Sequence, residues 1–317
     1  MEYRRLGGSG LEVSAISLGS WLTLGSSVDR AATREIVERA HDLGINFFDT
    51  ADVYAKGDAE EALGAALKGI PRPHIVLATK CFFPMTEAPN DRGLSRKHIV
   101  ESVEASLRRL GTDYLDLHQC HRPDPGTPLE ETVRAYEDLI RQGKILYWGV
   151  SEWTSEDIVR ACRTADEHNA YRPVSNQPQY NIFRRNIERR HLRVCQDEGV
   201  GQLVFSPLAQ GVLTGKYSGG TVPRGTRAGD EQRNQFMADF LKPEAVEQVD
   251  RLSPLAAELG ISLAQLALAW CLRQSNVSSV IVGATRVSQI EDNAKAAGVK
   301  LPEAIIESID ALTAEAR

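Results

Sequence analysis

Asp49, Tyr54, Lys80 and His121 form a set of side chains suited to acid–base work on a polarised oxygen. A phenol can give up a proton, a buried ammonium needs a carboxylate partner, and a neutral imidazole can donate a hydrogen bond to a carbonyl oxygen. Taken singly, each has an ordinary structural explanation: a turn cap, a loop aromatic, a strand-end charge, a satisfied core histidine. Magnitudes set a condition on the joint reading. A tyrosine with a pKa of about 10 needs a shift of about two to three units, roughly 3–4 kcal/mol, to work well near neutrality. A unit charge about 4 Å away supplies about 1 kcal/mol in bulk water and about 4 kcal/mol at an effective dielectric of about 20. The set therefore needs a shielded site. Trp21, Phe82, Phe83 and Trp153 are the aromatic residues expected to shield it and to contact a substrate.

The elements that must position these residues show in the periodicity. Short apolar runs alternate with amphipathic stretches from Ile16 onward, with Gly and Pro between them. Eight strand candidates result, at 16–21, 46–51, 75–80, 114–121, 147–153, 174–180, 202–209 and 278–285. Asp29 can cap the first helix, with Ile36, Val37, Ala40 and Leu43 on one face and Gly44 at its end. Ser95 can cap the third, with Ile99, Val103, Leu107 and Leu110 on one face and Gly111 closing the last turn. Alternating units of this kind favour an α/β fold, a (β/α)8 TIM barrel, over an open doubly wound sheet. No G-x-G-x-x-G follows any strand candidate to support the open sheet. In a barrel the chemistry gathers at the C-terminal strand ends, where Asp49, Lys80 and His121 fall and Tyr54 follows in the next loop. Segment 2–14 reads as an N-terminal hairpin, and extra helices are expected after the seventh strand and at the C-terminus. Segment 210–235, rich in Gly, Arg and Thr, is longer than most connections and reads as a functional flap. No linker interrupts the pattern, so residues 1–317 are expected to form one domain.

Composition removes several alternatives. The 317 residues are 42% hydrophobic, enough for a large core, and the formal net charge of -6 without a basic block argues against nucleic acid. No apolar run has the length of a signal peptide or membrane span, so a cytoplasmic protein is expected. The five cysteines are widely spaced without a C-x-x-C pair and read as reduced, mostly buried thiols. His118, Cys120 and His121 are metal-ligand types, but a strand turns the first two to one face and the third to the other, so no metal is expected. No G-x-S-x-G elbow supports acyl transfer. Nothing indicates an oligomer.

The motifs F-F-D-T-A-D-V-Y (47–54), A-T-K (78–80), L-D-L-H-Q-C-H-R-P (115–123), G-V-S-E-W (149–153), N-Q-P-Q-Y-N (176–181), F-S-P-L-A-Q-G-V-L-T-G-K-Y (205–217) and V-I-V-G-A-T (280–285) together resemble the aldo-keto reductase superfamily over nearly the whole chain. The nearest likeness is to a bacterial member of the branch that holds the β subunits of voltage-gated potassium channels. The resemblance implies reduction of an aldehyde or ketone with NADPH. Its catalytic tetrad would be Asp49, Tyr54, Lys80 and His121, with Tyr54 as proton donor, Lys80 lowering its pKa and His121 orienting the carbonyl. It also implies cofactor contacts from Ser20, Trp21 and Asp49, and from Ser151 and Gln177 at the nicotinamide. Phe205, Ser206, Pro207, Leu208, Gln210, Gly211 and Lys216 would wrap the pyrophosphate. Gly283, Thr285, Arg286, Gln289, Asp292 and Asn293 would hold the adenosine end, with Arg286 and Arg227 suited to a 2′-phosphate, hence NADP. Substrate would meet Trp21, Tyr54, Phe82, Phe83, His121 and Trp153. The channel subunits carry Asn where this chain has His121, which favours a working enzyme. The alternative is an NADPH-binding redox-sensing subunit of a membrane channel or other partner. Glu152 stands where many relatives have Asn and at neutral pH can only accept hydrogen bonds.

Overall fold

The computed structural model describes residues 1–223, 226–229 and 234–313. The first short strands, β1 (Tyr3–Arg5) and β2 (Glu12–Ser14), pair antiparallel as the expected hairpin. The barrel follows: β3 (Ile16–Gly19), β4 (Phe47–Asp49), β5 (Val76–Cys81), β6 (Leu115–Cys120), β7 (Ile145–Ser151), β8 (Ser175–Gln177), β9 (Gly201–Phe205) and β10 (Val277–Val282). Each pairs in parallel with the next, and β10 closes on β3. Every expected stretch overlaps a strand, with ends shifted by one or a few residues. Several stop short of the expected end, β4 at Asp49 and β8 at Gln177, because the chain leaves the ladder there to build the mouth.

Helices α1 (Arg30–Asp42), α2 (Asp58–Leu67), α3 (Arg96–Leu110), α4 (Leu129–Arg141), α5 (Ser155–Glu167) and α6 (His191–Asp197) alternate with the strands. After β9 come α7 (Pro243–Glu258) and α8 (Leu263–Leu272), and after β10 come α9 (Val287–Ala294) and α10 (Glu303–Leu312), so the extra helices lie where expected. Both anticipated caps form: Asp29 accepts from the Ala32 amide and Ser95 from the His98 amide. Gly111 ends α3 at φ 65°, a left-handed turn that a Cβ would strain.

Strand alternation sorts side chains into two layers. Outward residues such as Phe48, Leu77, Trp148 and Val204 pack under the helices in one continuous core. Inside the barrel floor, Phe47, Val76, Ala78, Leu117, Leu203 and Ile281 join Leu6 and Val13 of the hairpin segment. Burying each large member of that plug contributes about 1.5–3 kcal/mol. The hairpin is fastened there by Arg4, which donates to the carbonyls of Leu272 and Val277 at 2.9 and 2.8 Å. One layer higher the inward residues become polar: Asp49, Lys80, Gln119 and Gln177. An apolar floor thus supports a polar mouth at the C-terminal strand ends. All five cysteines are buried and unpaired. No single described helix is long and apolar enough to cross a membrane, and the apolar α8 is buried along its whole length.

Candidate active site

The four side chains singled out by sequence converge at the mouth. The Lys80 ammonium, 0% exposed, donates to Asp49 Oδ2 and to the Thr50 carbonyl, both at 2.7 Å, and lies 3.5 Å from the Tyr54 hydroxyl. Asp49 Oδ1 accepts from Gln177 Nε2 at 2.9 Å and from Gln119 Nε2 at 3.5 Å, so the buried carboxylate is satisfied on both oxygens. Tyr54 and His121 meet edge to face, their ring centroids 5.6 Å apart. Among the described residues His121 Nδ1 is buried without a hydrogen-bond partner.

The electrostatics follow from burial and pairing. Burial pulls the Lys80 pKa down, but Asp49 and Tyr54 more than reverse this, so it stands above the ordinary lysine value and the residue stays an ammonium. His121 is pushed well below the usual histidine range, first by burial and then by the charges of Lys80 and Arg122, so its ring is neutral at physiological pH. Tyr54 departs from expectation. Its pKa is raised, because burial outweighs the pull of Lys80 and the Asp49 carboxylate adds to the rise. The expected lowering by Lys80 is real in sign but does not prevail, since much of the ammonium's field is spent on Asp49 at 2.7 Å. The phenol is therefore protonated at neutral pH.

A cleft of about 2150 Å³ opens above this cluster. It is too large for a small substrate alone, as ordinary ligand pockets run to about 300–1,000 Å³. Its walls include Ser20, Trp21, Asp49, Tyr54, Phe83, His121, Ser151, Gln177, Phe205, Ser206, Pro207, Leu208, Gln210, Gly211, Lys216 and Arg227, with Gly283, Thr285, Arg286, Gln289, Asp292 and Asn293 at the far end. The expected cofactor residues thus share one cavity. Phe82 and Trp153 do not reach its wall. Phe82 packs edge-on behind Phe83, centroids 5.3 Å apart, and Trp153 is only 6% exposed within the helix-side core. The structure therefore gives these two a supporting place and not the substrate contact expected of them.

Several wall segments bend unusually. Leu22, Ala55, Lys56, Glu152, Ser206, Ala209 and Gln210 all have positive φ without being glycine. Strained backbone gathered at one mouth is a mark of a functional site, held in place by the rigid barrel beneath. Glu152 accepts from the Gln179 amide at 2.6 Å, so its acceptor-only carboxylate is used to tie two mouth loops together. Ser151 donates to the Gln177 carbonyl at 2.8 Å, and Ser20 to the Thr50 hydroxyl at 2.8 Å.

The far end of the cleft is electropositive. Lys216 has a lowered pKa, first from burial and then from repulsion by Arg227 and Arg286. Gly211, at φ 93°, brings its backbone so close that a Cβ would lie 2.8 Å from Lys216 Nζ. Thr285 and Gln289 bond each other at the start of α9, and Asp292 accepts from Ser262 at 2.8 Å and Gln265 at 2.6 Å. Crowded cations, a glycine-backed wall and a helix N-terminus fit a dinucleotide phosphate chain. At the expected flap Arg227 donates to Gln210 Oε1, and just past it Phe236 packs on Trp21 with centroids 5.1 Å apart. Residues 224, 225 and 230–233 of the expected flap lie outside the described residues.

His118 and Cys120 face away from this site. His118 Nδ1 lies 3.0 Å from the Tyr136 hydroxyl and Cys120 Sγ 3.5 Å from it, on the helix side of β6, as the strand alternation requires. Sequence reading missed Gln119, although the same alternation places it inward beside Lys80. It also missed Thr50, whose contribution is a backbone carbonyl and leaves no residue-type signal. Asp52, buried behind the Tyr54 loop, was missed as well.

The chain is a closed parallel barrel with a buried polar cluster beneath an extended cleft at its mouth, and the family model of the aldo/keto reductase family, a family of oxidoreductases, matches residues 15–314. The chain belongs to that family. Its relatives include a protein named as a voltage-gated potassium channel subunit beta from Arabidopsis thaliana, 47% identical over 94% of this chain and 92% of that one. One of the same name from Oryza sativa subsp. japonica is 45% identical over 98% and 96%. A third, from Schizosaccharomyces pombe, is 44% identical over 99% and 90%. The expected branch is thus borne out. The expected bacterial affiliation is not, since these relatives come from two plants and a yeast.

Proposed function

We propose that this chain reduces an aldehyde or ketone to the alcohol with NADPH, acting as one barrel unit over residues 1–317 in the cytoplasm on a small-molecule carbonyl. The observation that carries this reading is the buried Lys80 ammonium, bonded to Asp49 at 2.7 Å and 3.5 Å from the Tyr54 hydroxyl, next to an unpartnered His121 nitrogen. The cleft residues would hold NADPH, which would supply the hydride, so that carbonyl, NADPH and a proton would become alcohol and NADP+. Ser151 and Gln177 would hold the nicotinamide end, and Lys216, Arg227 and Arg286 the phosphates, their crowding favouring the additional 2′-phosphate.

Tyr54 gives its proton to the carbonyl oxygen as negative charge develops there. Its raised pKa keeps the proton in place at rest, and the Lys80 ammonium stabilises the phenolate left behind. Neutral His121 donates to the same oxygen and so fixes which face of the carbonyl is presented. Asp49 keeps the ammonium within reach of the phenol. Phe83 and Trp21 exclude water, which strengthens each of these interactions. A second reading, an NADPH-binding redox-sensing subunit, is favoured by the names of the relatives. Steady-state loss of NADPH absorbance with a panel of aldehydes and ketones separates the two. Sustained multiple turnover supports the reductase, whereas tight binding with at most one turnover supports the sensor.

A further inference from the structure

Arg122 is the cation at the reacting end of the cleft without an assigned task. Its Nη1 donates to the His121 carbonyl at 2.5 Å and lies 3.5 Å from Ser151 Oγ. Its guanidinium carbon sits 5.6 Å from the Phe83 centroid, and Phe83 is 5.0 Å from His121. Guanidinium, Phe83, His121 and Tyr54 therefore form one stretch of wall. Among the described residues no carboxylate pairs with Arg122, and its Nε and Nη2 make no hydrogen bond. The other cations near this end are engaged: Arg184 with Asp239 at 2.8 Å, and Lys56 with the Pro84 carbonyl at 3.0 Å. Nearby acids are engaged too, Asp49 by Lys80 and Glu152 by the Gln179 amide.

A planar guanidinium with one edge open matches a carboxylate, which it can grip through two parallel hydrogen bonds. We propose that Arg122 anchors a carboxylate borne by the carbonyl substrate, making short oxo-acids the preferred substrate class. This rests on the reductase reading and adds to it a specificity residue. The anion sits a few atoms from the carbonyl that Tyr54 and His121 address.

The test compares succinic semialdehyde with its methyl ester, with benzaldehyde as a neutral control, in wild type, Arg122→Gln and Arg122→Lys. In wild type kcat/KM favours the acid. Arg122→Gln lowers the acid-to-ester ratio about tenfold or more, mainly through KM, and Arg122→Lys falls between. A readout independent of turnover is calorimetric titration of the NADPH-loaded protein with benzoate and benzamide. Benzoate binds more tightly to wild type, and that advantage shrinks in Arg122→Gln. An unchanged acid-to-ester ratio, or benzoate no tighter than benzamide, overturns the proposal. If benzaldehyde is consumed and the acid is not, the proposal fails and the reductase reading stands. If no carbonyl is consumed, both fall.

Discussion

Two buried charge clusters lie on either side of the Tyr54 loop, and they are built on opposite principles. In front, inside the barrel, one ammonium meets one carboxylate: Lys80 and Asp49, with amides from Gln177 and Gln119 filling the remaining acceptor sites. Behind, between β5, α2 and α3, two acids share one base. Glu60 accepts from Arg109 and from the Thr79 hydroxyl, both at 2.6 Å, while Asp52 accepts from Ser102 at 2.9 Å and, among the described residues, leaves Oδ1 without a partner. Balanced charge lets burial strengthen the pair in front. Burial pushes the Asp52 pKa from 3.8 to about 7, the neighbouring Glu60 carboxylate adds to the rise, and Ser102, the Val53 backbone and Arg109 oppose it. Pairing, more than depth, decides which buried groups stay ionised.

Removing a partner from the front cluster gives the largest effect. Lys80→Met strands Asp49 in the barrel and should cost about 3–5 kcal/mol of stability at neutral pH. Turnover should fall about 10²–10⁴-fold as Tyr54 loses its phenolate stabiliser. Chemical denaturation and steady-state kinetics check the two effects, and a variant as stable and active as wild type would break the contrast between the clusters.

The back cluster should respond with the opposite sign. Asp52 has a higher pKa folded than unfolded, so the native state keeps its proton between 3.8 and about 7 and loses stability as pH rises through that window. Above it the cost approaches about 4 kcal/mol, roughly three units at about 1.36 kcal/mol each. Asp52→Asn abolishes this titration and should melt above wild type at pH of about 8, the gap closing toward pH of about 4. A variant no more stable than wild type at either pH counts against a surplus acid. Smallest is Ser102→Ala, which removes one hydrogen bond from Asp52 for about 1 kcal/mol. It should also move the pH window upward, because that bond holds the pKa down. Stability curves at several pH values read both parts.

The barrel was legible because its signal is repeated: each apolar run carries a strand and each capped, punctuated stretch a helix, so errors at single boundaries do not change the topology. The convergence of Asp49, Tyr54, Lys80 and His121 was legible because parallel strands send their C-terminal ends to one mouth. The aromatic wall was legible only in part. Phe82 and Phe83 are neighbours just beyond β5, yet only Phe83 lines the cleft, and proximity to a strand end does not say which way a loop residue turns. Asp52 and Glu60 could not be paired from sequence, because their meeting depends on how α2 and α3 pack. The close approach at Gly64, where a Cβ would lie 2.4 Å from the Leu110 carbonyl oxygen, is a contact between those two helices.

The central claim is that Tyr54 hands over the proton from a site already shaped to receive cofactor. The direct measurement pairs steady-state NADPH oxidation with NADPH affinity, read by fluorescence titration, in wild type and Tyr54→Phe. The account predicts a loss of turnover of about 10²–10⁴-fold with the dissociation constant for NADPH nearly unchanged, since the hydroxyl is the only group removed. A Tyr54→Phe protein that turns over as fast as wild type would contradict it.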